Sequence, residues 1–426
     1  MAFLLSAIGQ GLTLGLQVLF ARLSGAEEYG IYSYTMAWLG VGLIIGKLGF
    51  DTALVRFSAS YSSREKPGLA VGVWLVARRW SLASSIIAAP VLAAAAWFAA
   101  RSGGVSLVCA LLVFVLLLPV AVVGELASAA LRGFKRIGAA MLGDSILRPI
   151  VAMVVFGLFA AFGQRTAGST MAAYGIGTVV ATGVTVMFLR RAHRVADAET
   201  PSRRLARAWV TSAMTLMLAN AFLILLYTVD TILIGALRGT TEAGMYSVAS
   251  RIALLVLFVM NALQAIGGPL ISESYSAGER QELRRVIRLL NLCSVIAALP
   301  VVAVLALWPD KLLGLFGDEF STAADVLRIL ALMQLLNVLT GPVGLLMSMT
   351  GRQRTLAILL GGAFLVHVAL CVVLVPQSGA MGAAWAAFIA HGLWNLAGVF
   401  IVRAALGVDC SLVDWVRWRS VPVRAA

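Results

Sequence analysis

Residues 24–66 read SGAEEYGIYSYTMAWLGVGLIIGKLGFDTALVRFSASYSSREK, with a turn rich in Gly and Glu, a long apolar run and a polar exit rich in Ser, Tyr and Arg. The same pattern returns 214 residues later without a gap. The corresponding positions are Glu28 and Glu242, Gly30 and Gly244, Tyr32 and Tyr246, Ser33 and Ser247, and the segments 58–62 and 272–276. Because half of the 426-residue chain is 213 residues, the repeat predicts one structural unit that occurs twice.

The composition is that of a polytopic membrane protein. Hydrophobic residues make up 61% of the chain and charged residues 12%, whereas soluble domains carry about 45–50% and about 25%. A soluble fold of this length could not bury so much apolar surface. The net charge of +14 would suggest nucleic acid in a soluble protein. Basic residues instead concentrate in the cytoplasmic loops of membrane proteins, so no nucleic-acid partner is expected.

Twelve apolar segments are long enough to cross a membrane as helices, which takes about 20 residues each. They lie at residues 2–21, 31–55, 73–100, 105–130, 138–163, 170–189, 208–237, 244–271, 286–308, 322–348, 355–375 and 380–402. No basic residue precedes the first segment, which favours a span over a cleavable signal peptide. The expected fold class is therefore all-α, with about 12 transmembrane helices.

Lys and Arg residues concentrate on one side of these spans. The regions after even-numbered spans, including the C-terminal tail, carry 24 of the 33 basic residues, and the alternate loops carry 6. The positive-inside rule makes the first set cytoplasmic. This predicts that both termini are cytoplasmic and, in a bacterium, that the protein lies in the inner membrane.

The longest polar stretch separates the first six spans from the last six. We expect an N-lobe at residues 1–190, a cytoplasmic linker at 191–207, a C-lobe at 208–405 and a cytoplasmic interfacial tail at 406–426. With six spans in each copy, both lobes enter the membrane the same way, so the repeat is parallel. Such pseudo-symmetric lobes are typical of transporters in which two bundles rock around a central cavity.

Charged residues inside membrane spans are costly and carry a functional hypothesis by default. They are Lys47, Asp51, Glu125, Asp144, Arg148, Asp230 and Arg251, and Arg56 follows at the inner end of span two. Lys47 with Asp51, and Asp144 with Arg148, are spaced i, i+4, which puts each pair on one helix face. Asp230 and Arg251 lie on consecutive spans and could reach each other.

Two interpretations of these residues stay open. In the first, the pairs neutralise each other inside the helix bundle and are structural. In the second, they line a water-filled cavity. The basic residues Lys47, Arg56, Arg148 and Arg251 would then contact an anionic headgroup, since Arg presents paired donors to phosphate. The acidic residues Asp51, Glu125, Asp144 and Asp230 would serve ion pairing or coupling to protons or Na⁺.

Uncharged polar residues in the spans favour helix–helix hydrogen bonds over ligand contacts. They are Gln17, Asn220, Asn261, Gln264, Gln334, Asn337, His367 and Asn395. His367 and His391 lie on different spans with no carboxylate nearby in sequence, so we expect no metal and no cofactor. The sequence contains no GxxxxGK[ST], GxSxG or HExxH motif and no long loop that could hold a catalytic domain, which predicts that the protein is not an enzyme.

The segments ARLSGAEEYGIYSYTMAW at 21–38 and LGFDTALVRFSASYSSREK at 48–66 resemble the polysaccharide transporter family. VDTILIGALRGTTEAGMYSVASRI at 229–252 and GAMGAAWA at 379–386 are similar to the same family. It contains the O-antigen and exopolysaccharide flippases of the multidrug/oligosaccharidyl-lipid/polysaccharide exporter superfamily. The resemblance implies two six-helix lobes around a V-shaped cavity, and it directs attention to Asp51, Arg56, Asp230 and Arg251.

The function implied by this resemblance is that of a flippase. Its substrate would be a polyprenyl-pyrophosphate-linked oligosaccharide, moved from the inner to the outer leaflet by alternating access. The expected partners are this lipid-linked oligosaccharide and membrane lipids, with a glycan polymerase and assembly proteins as candidates. The alternatives are a cation-coupled multidrug antiporter of the same fold, a peptidoglycan lipid-precursor flippase, and a non-transporting membrane scaffold.

Overall fold

The computed structural model describes residues 2–63, 66–100, 104–193 and 203–407. Most of these residues are helical and none of them forms a β-strand, which confirms the all-α fold class. They form two compact units. The first comprises Met1–Gly244 with Leu315–Gly317, and the second Met245–Gly314 with Asp318–Ala426. Most of the predicted linker and of the predicted C-terminal tail lies outside the described residues, and the lobe boundaries stay a prediction.

The helices of the first unit follow one another with short connections. They are α1 (Ala2–Lys47), α2 (Phe50–Ser63), α3 (Pro67–Ala99), α4 (Gly104–Gly133), α5 (Ile137–Met141), a π-helical segment (Leu142–Leu147), α6 (Arg148–Ala161), α7 (Ala167–His193), α8 (Arg203–Leu226) and α9 (Val229–Leu237). The next helix, α10 (Thr240–Ala253), leads into the second unit.

The second unit continues with helices of more varied length. They are α11 (Leu255–Ser276), α12 (Arg280–Leu307), α13 (Pro309–Gly314), a 3₁₀ helix (Asp318–Ala323), α14 (Ala324–Leu339), α15 (Val343–Met349) and α16 (Gln353–Leu406).

The described helices account for the predicted number of spans. Eight are long and apolar enough to cross a membrane, or ten if each of two bent helix pairs forms one span. The longest, α1 and α16, each contain one glycine with non-helical dihedral angles: Gly25 (φ 77°, ψ 171°) and Gly379 (φ 56°, ψ −135°). Glycine adopts a positive φ at little cost, so each long element is two helices joined at a kink. Dividing α1 and α16 at these glycines adds one span each to the count of ten, which gives the twelve spans expected from the sequence.

Both bent helix pairs belong to the first unit. α1 and α2 meet at 45° and are separated by Leu48 and Gly49, both with positive φ (50° and 77°). A Cβ at Gly49 would overlap the carbonyl oxygen of Ala213 in α8, so glycine also permits a close helix approach here. The second pair, α8 and α9, bends by 44°.

A buried aromatic cluster forms part of the core of the first unit. The Phe20 ring lies 5.2 Å from the Tyr32 ring and 4.8 Å from the Phe156 ring, both edge-on. Tyr29 packs 5.7 Å from Tyr32 and donates a hydrogen bond from its hydroxyl to Gln17 Oε1, at 2.9 Å. These contacts join the two halves of α1 to each other and to α6, and they satisfy Gln17 as an interhelical hydrogen-bond partner, as the sequence predicted.

Candidate functional site

The span formed by α5, the π-helical segment and α6 carries the main charged group. Its π-helical turn runs from Leu142 to Leu147, so Asp144 lies within it and Arg148 follows directly. π-Helical turns inside α-helices are rare overall, and those that occur are often found at functional sites. Arg148 is the twelfth of the 25 residues in Ile137–Ala161, which places it near the middle of the span.

Close packing at two glycines fixes this span against its neighbours. A Cβ at Gly9 of α1 would overlap the Ser145 side chain, and a Cβ at Gly177 of α7 would lie 2.6 Å from the carbonyl oxygen of Arg148. Small residues at such crossings let helix backbones approach in membrane proteins. The backbone that presents Asp144 and Arg148 is therefore held between α1 and α7.

Arg148 gathers side chains from three other elements. Its Nη2 lies 2.6 Å from Asp144 Oδ1 in the π-helical turn and 3.8 Å from Glu125 Oε1 in α4. Its Nη1 donates a hydrogen bond to the Tyr174 hydroxyl of α7, at 3.2 Å. We call Glu125, Asp144, Arg148 and Tyr174 the Arg148 cluster. The i, i+4 spacing predicted that Asp144 and Arg148 share one helix face, and in the structure the two side chains are in contact.

The Arg148 cluster is partly exposed and carries an excess of negative charge. The side chains of Glu125, Asp144 and Arg148 are 29%, 22% and 19% exposed. Two carboxylates with one guanidinium leave a formal charge of minus one when both acids are ionised. Charged groups exposed to lipid at this depth would be very costly, so their exposed parts are expected to face water.

Lys47 and Asp51 form the second predicted pair, across the break between α1 and α2. Lys47 Nζ lies 2.9 Å from Asp51 Oδ2, and the side chains are 12% and 26% exposed. The i, i+4 spacing predicted one continuous helix face. The chain instead turns at Leu48 and Gly49, and the ion pair bridges this turn. Asp51 is the second residue of α2, where the helix dipole favours a carboxylate.

Asp230 occupies the same local position in the second bent pair. It is the second residue of α9, directly after the bend from α8, and it is only 3% exposed. The two broken spans of the first unit therefore each place an aspartate in the first turn of the following helix.

The other two headgroup candidates lie elsewhere. Arg56 is exposed on α2, next to Phe57, with its guanidinium carbon 6.0 Å from the Phe57 ring. Arg251 lies near the end of α10 in the second unit, half-buried, with its Nε 3.5 Å from Ser247 Oγ. In the part of the second unit that the structure describes, Arg251 forms no ion pair with a carboxylate. Its predicted pairing with Asp230 stays a prediction.

Tyr174 was not identified by the sequence reasoning. Its contact with Arg148 depends on the packing of α7 against α6, and no local spacing in the sequence indicates which helix a tyrosine faces. The structure shows that Tyr174 is the single hydroxyl partner of Arg148 among the described residues.

The second unit contains a buried network of uncharged polar side chains. Thr340 donates to Asn395 Oδ1 at 3.2 Å, and Asn395 Nδ2 donates to the His391 carbonyl oxygen at 2.9 Å. Asn337 Nδ2 lies 3.4 Å from Gln334 Oε1. The Thr340–Asn395 hydrogen bond joins the C-terminal end of α14 to α16 and fits the expected role of helix–helix hydrogen bonding, whereas the other two bonds each lie within one helix.

Comparison with known families and structures bears on this architecture. A family model described as polysaccharide biosynthesis protein matches residues 1–275, and a second, MatE, matches residues 216–373. A probable low-salt glycan biosynthesis flippase, Agl15 of Haloferax volcanii, is 25% identical over 159 residues. That alignment covers 36% of this chain and only 33% of the relative, about a third of its length.

Solved transporters share the fold over almost the whole chain. An inward-facing multidrug resistance MATE family transporter of the MOP superfamily aligns with a TM-score of 0.72 and 17% identity, covering 92% of this chain and 94% of that one. The lipid II flippase MurJ in an inward closed conformation aligns with a TM-score of 0.73 and 14% identity, covering 94% and 87%. At these identities the similarity establishes the two-lobe fold.

Proposed function

This chain belongs to the polysaccharide biosynthesis protein family of multi-pass membrane transporters, and we propose that it moves a polyprenyl-diphosphate-linked oligosaccharide across a bacterial inner membrane by alternating access. The observation that carries this proposal is the Arg148 cluster. A half-buried arginine near the middle of a span, held by side chains from three other elements, suits a substrate whose headgroup is anionic while its tail stays in lipid.

The four basic candidates, which lie on different helices, would each contact the headgroup. Arg148 lies near the middle of its span, and Lys47 and Arg56 lie on either side of the break between α1 and α2. Arg251 would contribute from α10 of the second unit. Arginine suits this role because its planar guanidinium offers two parallel donors to a phosphate.

The acidic candidates would set the charge of the cavity as the transporter cycles. Asp51 and Asp144 each neutralise a basic partner in this structure, at 2.9 Å and 2.6 Å. A headgroup phosphate that competes for Lys47 or Arg148 would release these carboxylates, which could then accept a proton or Na⁺. Glu125 and Asp230 are the further candidates for this coupling.

Localisation and partners follow from the same proposal. Both termini would be cytoplasmic, in agreement with the Lys and Arg distribution. The sugar lipid would be received from glycosyltransferases on the inner face. On the outer face it would pass to a glycan polymerase and its assembly proteins.

The proposal is tested by leaflet exchange in proteoliposomes. A fluorescent polyprenyl-diphosphate sugar is incorporated, and its accessibility to a membrane-impermeant quencher is followed over time. We expect protein-dependent exchange that is lost in Arg148→Ala and Arg251→Ala and retained in Arg328→Ala, a control for an exposed arginine (44% side-chain exposure). The absence of protein-dependent exchange would overturn the proposal. Exchange at the wild-type rate in both test variants would overturn the site assignment.

A second candidate function is cation-coupled efflux of small molecules, favoured by the match of the MatE family model to residues 216–373. The same vesicles distinguish the two. Dye efflux driven by a proton or Na⁺ gradient, without exchange of the sugar lipid, would establish the antiporter. Exchange of a lipid-linked peptidoglycan precursor in preference to the oligosaccharide would indicate a peptidoglycan lipid-precursor flippase.

A further inference from the structure

We infer that the Arg148 cluster binds the substrate's diphosphate together with a divalent cation of the Mg²⁺ type, which Glu125 and Asp144 ligate. This inference rests on the proposed function. The cation would arrive with the substrate and leave with it, so it is part of the cargo and not a resident cofactor.

The net negative charge of the Arg148 cluster favours a bound cation. Glu125 and Asp144 both approach the one guanidinium, which leaves a formal charge of minus one. A diphosphate that links a lipid to a sugar adds about two negative charges. A single arginine cannot offset this total, and two half-buried carboxylates next to a phosphate would repel it strongly at low dielectric. A divalent cation between the carboxylates and the diphosphate removes the repulsion.

Both carboxylates approach the same point, the Nη2 nitrogen of Arg148. Asp144 Oδ1 and Glu125 Oε1 lie 2.6 Å and 3.8 Å from the same nitrogen, Arg148 Nη2. Mg²⁺ binds oxygen at about 2.0–2.1 Å and is commonly held by one or two carboxylates plus substrate phosphates, with water completing an octahedron. Withdrawal of the guanidinium toward the diphosphate would leave its position between the carboxylates open to the ion.

Two groups of the cluster have unused bonding capacity. Glu125 accepts no hydrogen bond from the described residues, and its 3.8 Å contact with Arg148 is too long to be one. Arg148 Nε is buried and has no hydrogen-bond partner among those residues. A buried donor without an acceptor is unfavourable, and a phosphate oxygen would satisfy it. The cluster thus offers the anion a buried donor without an acceptor, and offers the cation a carboxylate that accepts no hydrogen bond from the described residues.

A binding experiment with purified protein tests this inference. Undecaprenyl diphosphate in detergent is the probe, and its affinity is measured with EDTA and with millimolar Mg²⁺. We expect Mg²⁺ to raise the wild-type affinity about tenfold or more, which corresponds to about 1.4 kcal/mol. In the double variant Glu125→Gln/Asp144→Asn this gain should disappear, and binding in EDTA should become tighter than wild type because Arg148 is no longer neutralised.

A spectroscopic arm separates a bound metal from a solution effect. Mn²⁺ replaces Mg²⁺, and pulsed electron paramagnetic resonance detects ³¹P coupling from the diphosphate in the protein-bound complex. The signal should be present in the wild type and in the control Asp325→Asn, whose carboxylate is 69% exposed, and absent in the double variant. A thermal unfolding curve for each protein verifies that it is folded, and Glu125→Gln alone serves if the double variant does not fold.

Equal affinity in EDTA and Mg²⁺, or an equal gain from Mg²⁺ in wild type and double variant, would overturn the inference. Its failure is distinguishable from failure of the proposed function. Leaflet exchange that proceeds unchanged in EDTA would refute the divalent cation and leave the flippase standing. No exchange under any ionic condition would refute both.

Discussion

Gly30 and Gly244, which occupy the same position in the two copies of the sequence repeat, are in contact: a Cβ built on Gly244 would lie 2.6 Å from Gly30 Cα. A Cβ on Gly30 would in turn overlap the Thr240 carbonyl. Neither position has room for a larger residue, so both glycines are needed for the close approach of the two backbones. Gly30 lies within α1 and Gly244 within α10, so the contact brings these two helices together.

Gly30→Ala should therefore destabilise the protein. The added methyl group forces a backbone shift, and overpacking of this kind costs about 1–3 kcal/mol. The measurement is thermal unfolding in detergent. Gly157→Ala is the matched control, because a Cβ there meets nothing within 4 Å. Alanine has a higher helix propensity than glycine, so Gly157→Ala should leave the stability unchanged or raise it. An equal loss of stability in both variants would contradict the prediction.

Glu28 should act as an anchor for two other helices. Its Oε1 accepts a hydrogen bond from Ser106 Oγ at 2.8 Å, and its Oε2 accepts one from the backbone N–H of Ala167 at 2.5 Å. Ala167 is the first residue of α7, so the carboxylate also meets the positive end of a helix dipole.

Loss of the Glu28 carboxylate should lower stability by about 1.5–3 kcal/mol, the range for hydrogen bonds to a charged group. Glu28→Ala is compared by thermal unfolding with Glu27→Ala, the exposed neighbour on the same turn. Only the first is expected to lower the unfolding temperature. Equal behaviour of the two variants would show that the capping contact contributes nothing measurable.

Tyr174 should matter for transport more than for stability. Tyr174→Phe keeps the ring and removes the hydroxyl that accepts from Arg148 Nη1. The control is Tyr34→Phe, which removes a buried hydroxyl that donates to the Ala96 carbonyl at 3.0 Å. Each variant loses one hydrogen bond, which contributes about 0.5–1.5 kcal/mol to stability.

The two tyrosine variants are expected to differ in leaflet exchange. Loss of the Tyr174 hydroxyl frees the guanidinium to turn fully toward Asp144, so exchange should slow severalfold, while Tyr34→Phe should transport at the wild-type rate. A similar slowing in both would mean that Tyr174 acts only through stability.

The sequence predicted much of the fold and of the charged site, for identifiable reasons. Apolar runs of about 20 residues indicate membrane spans directly, and the i, i+4 spacing predicted that Asp144 and Arg148, which are in contact, share one helix face. The contact of Gly30 with Gly244 was not predictable, because it joins residues 214 positions apart through tertiary packing. Tyr174 was missed for the same reason.

Local backbone geometry was the other limit. The break between Lys47 and Asp51 depends on Leu48 at φ 50°, a conformation that leucine rarely adopts and no propensity predicts. The π-helical turn at Leu142–Leu147 likewise leaves no signature in the residue pattern. Both departures lie beside ion pairs, where functional demands commonly override local preference.

The Lys47–Asp51 pair distinguishes a structural role from a functional one. In the structural interpretation, a single neutralising variant leaves one half-buried charge without its partner, which is typically more destabilising than removal of both. We therefore expect Lys47→Met to lower the unfolding temperature more than Lys47→Met/Asp51→Asn does.

The functional interpretation of the Lys47–Asp51 pair adds a second expectation, which concerns transport and not stability. The double variant should fold and yet fail in leaflet exchange, because it lacks the Lys47 ammonium that would contact the headgroup and the Asp51 carboxylate that would take part in ion coupling. Both proteins are measured in the same vesicles as Arg328→Ala, the exposed-arginine control. Wild-type exchange by the double variant would assign the pair to structure and remove Lys47 and Asp51 from the site.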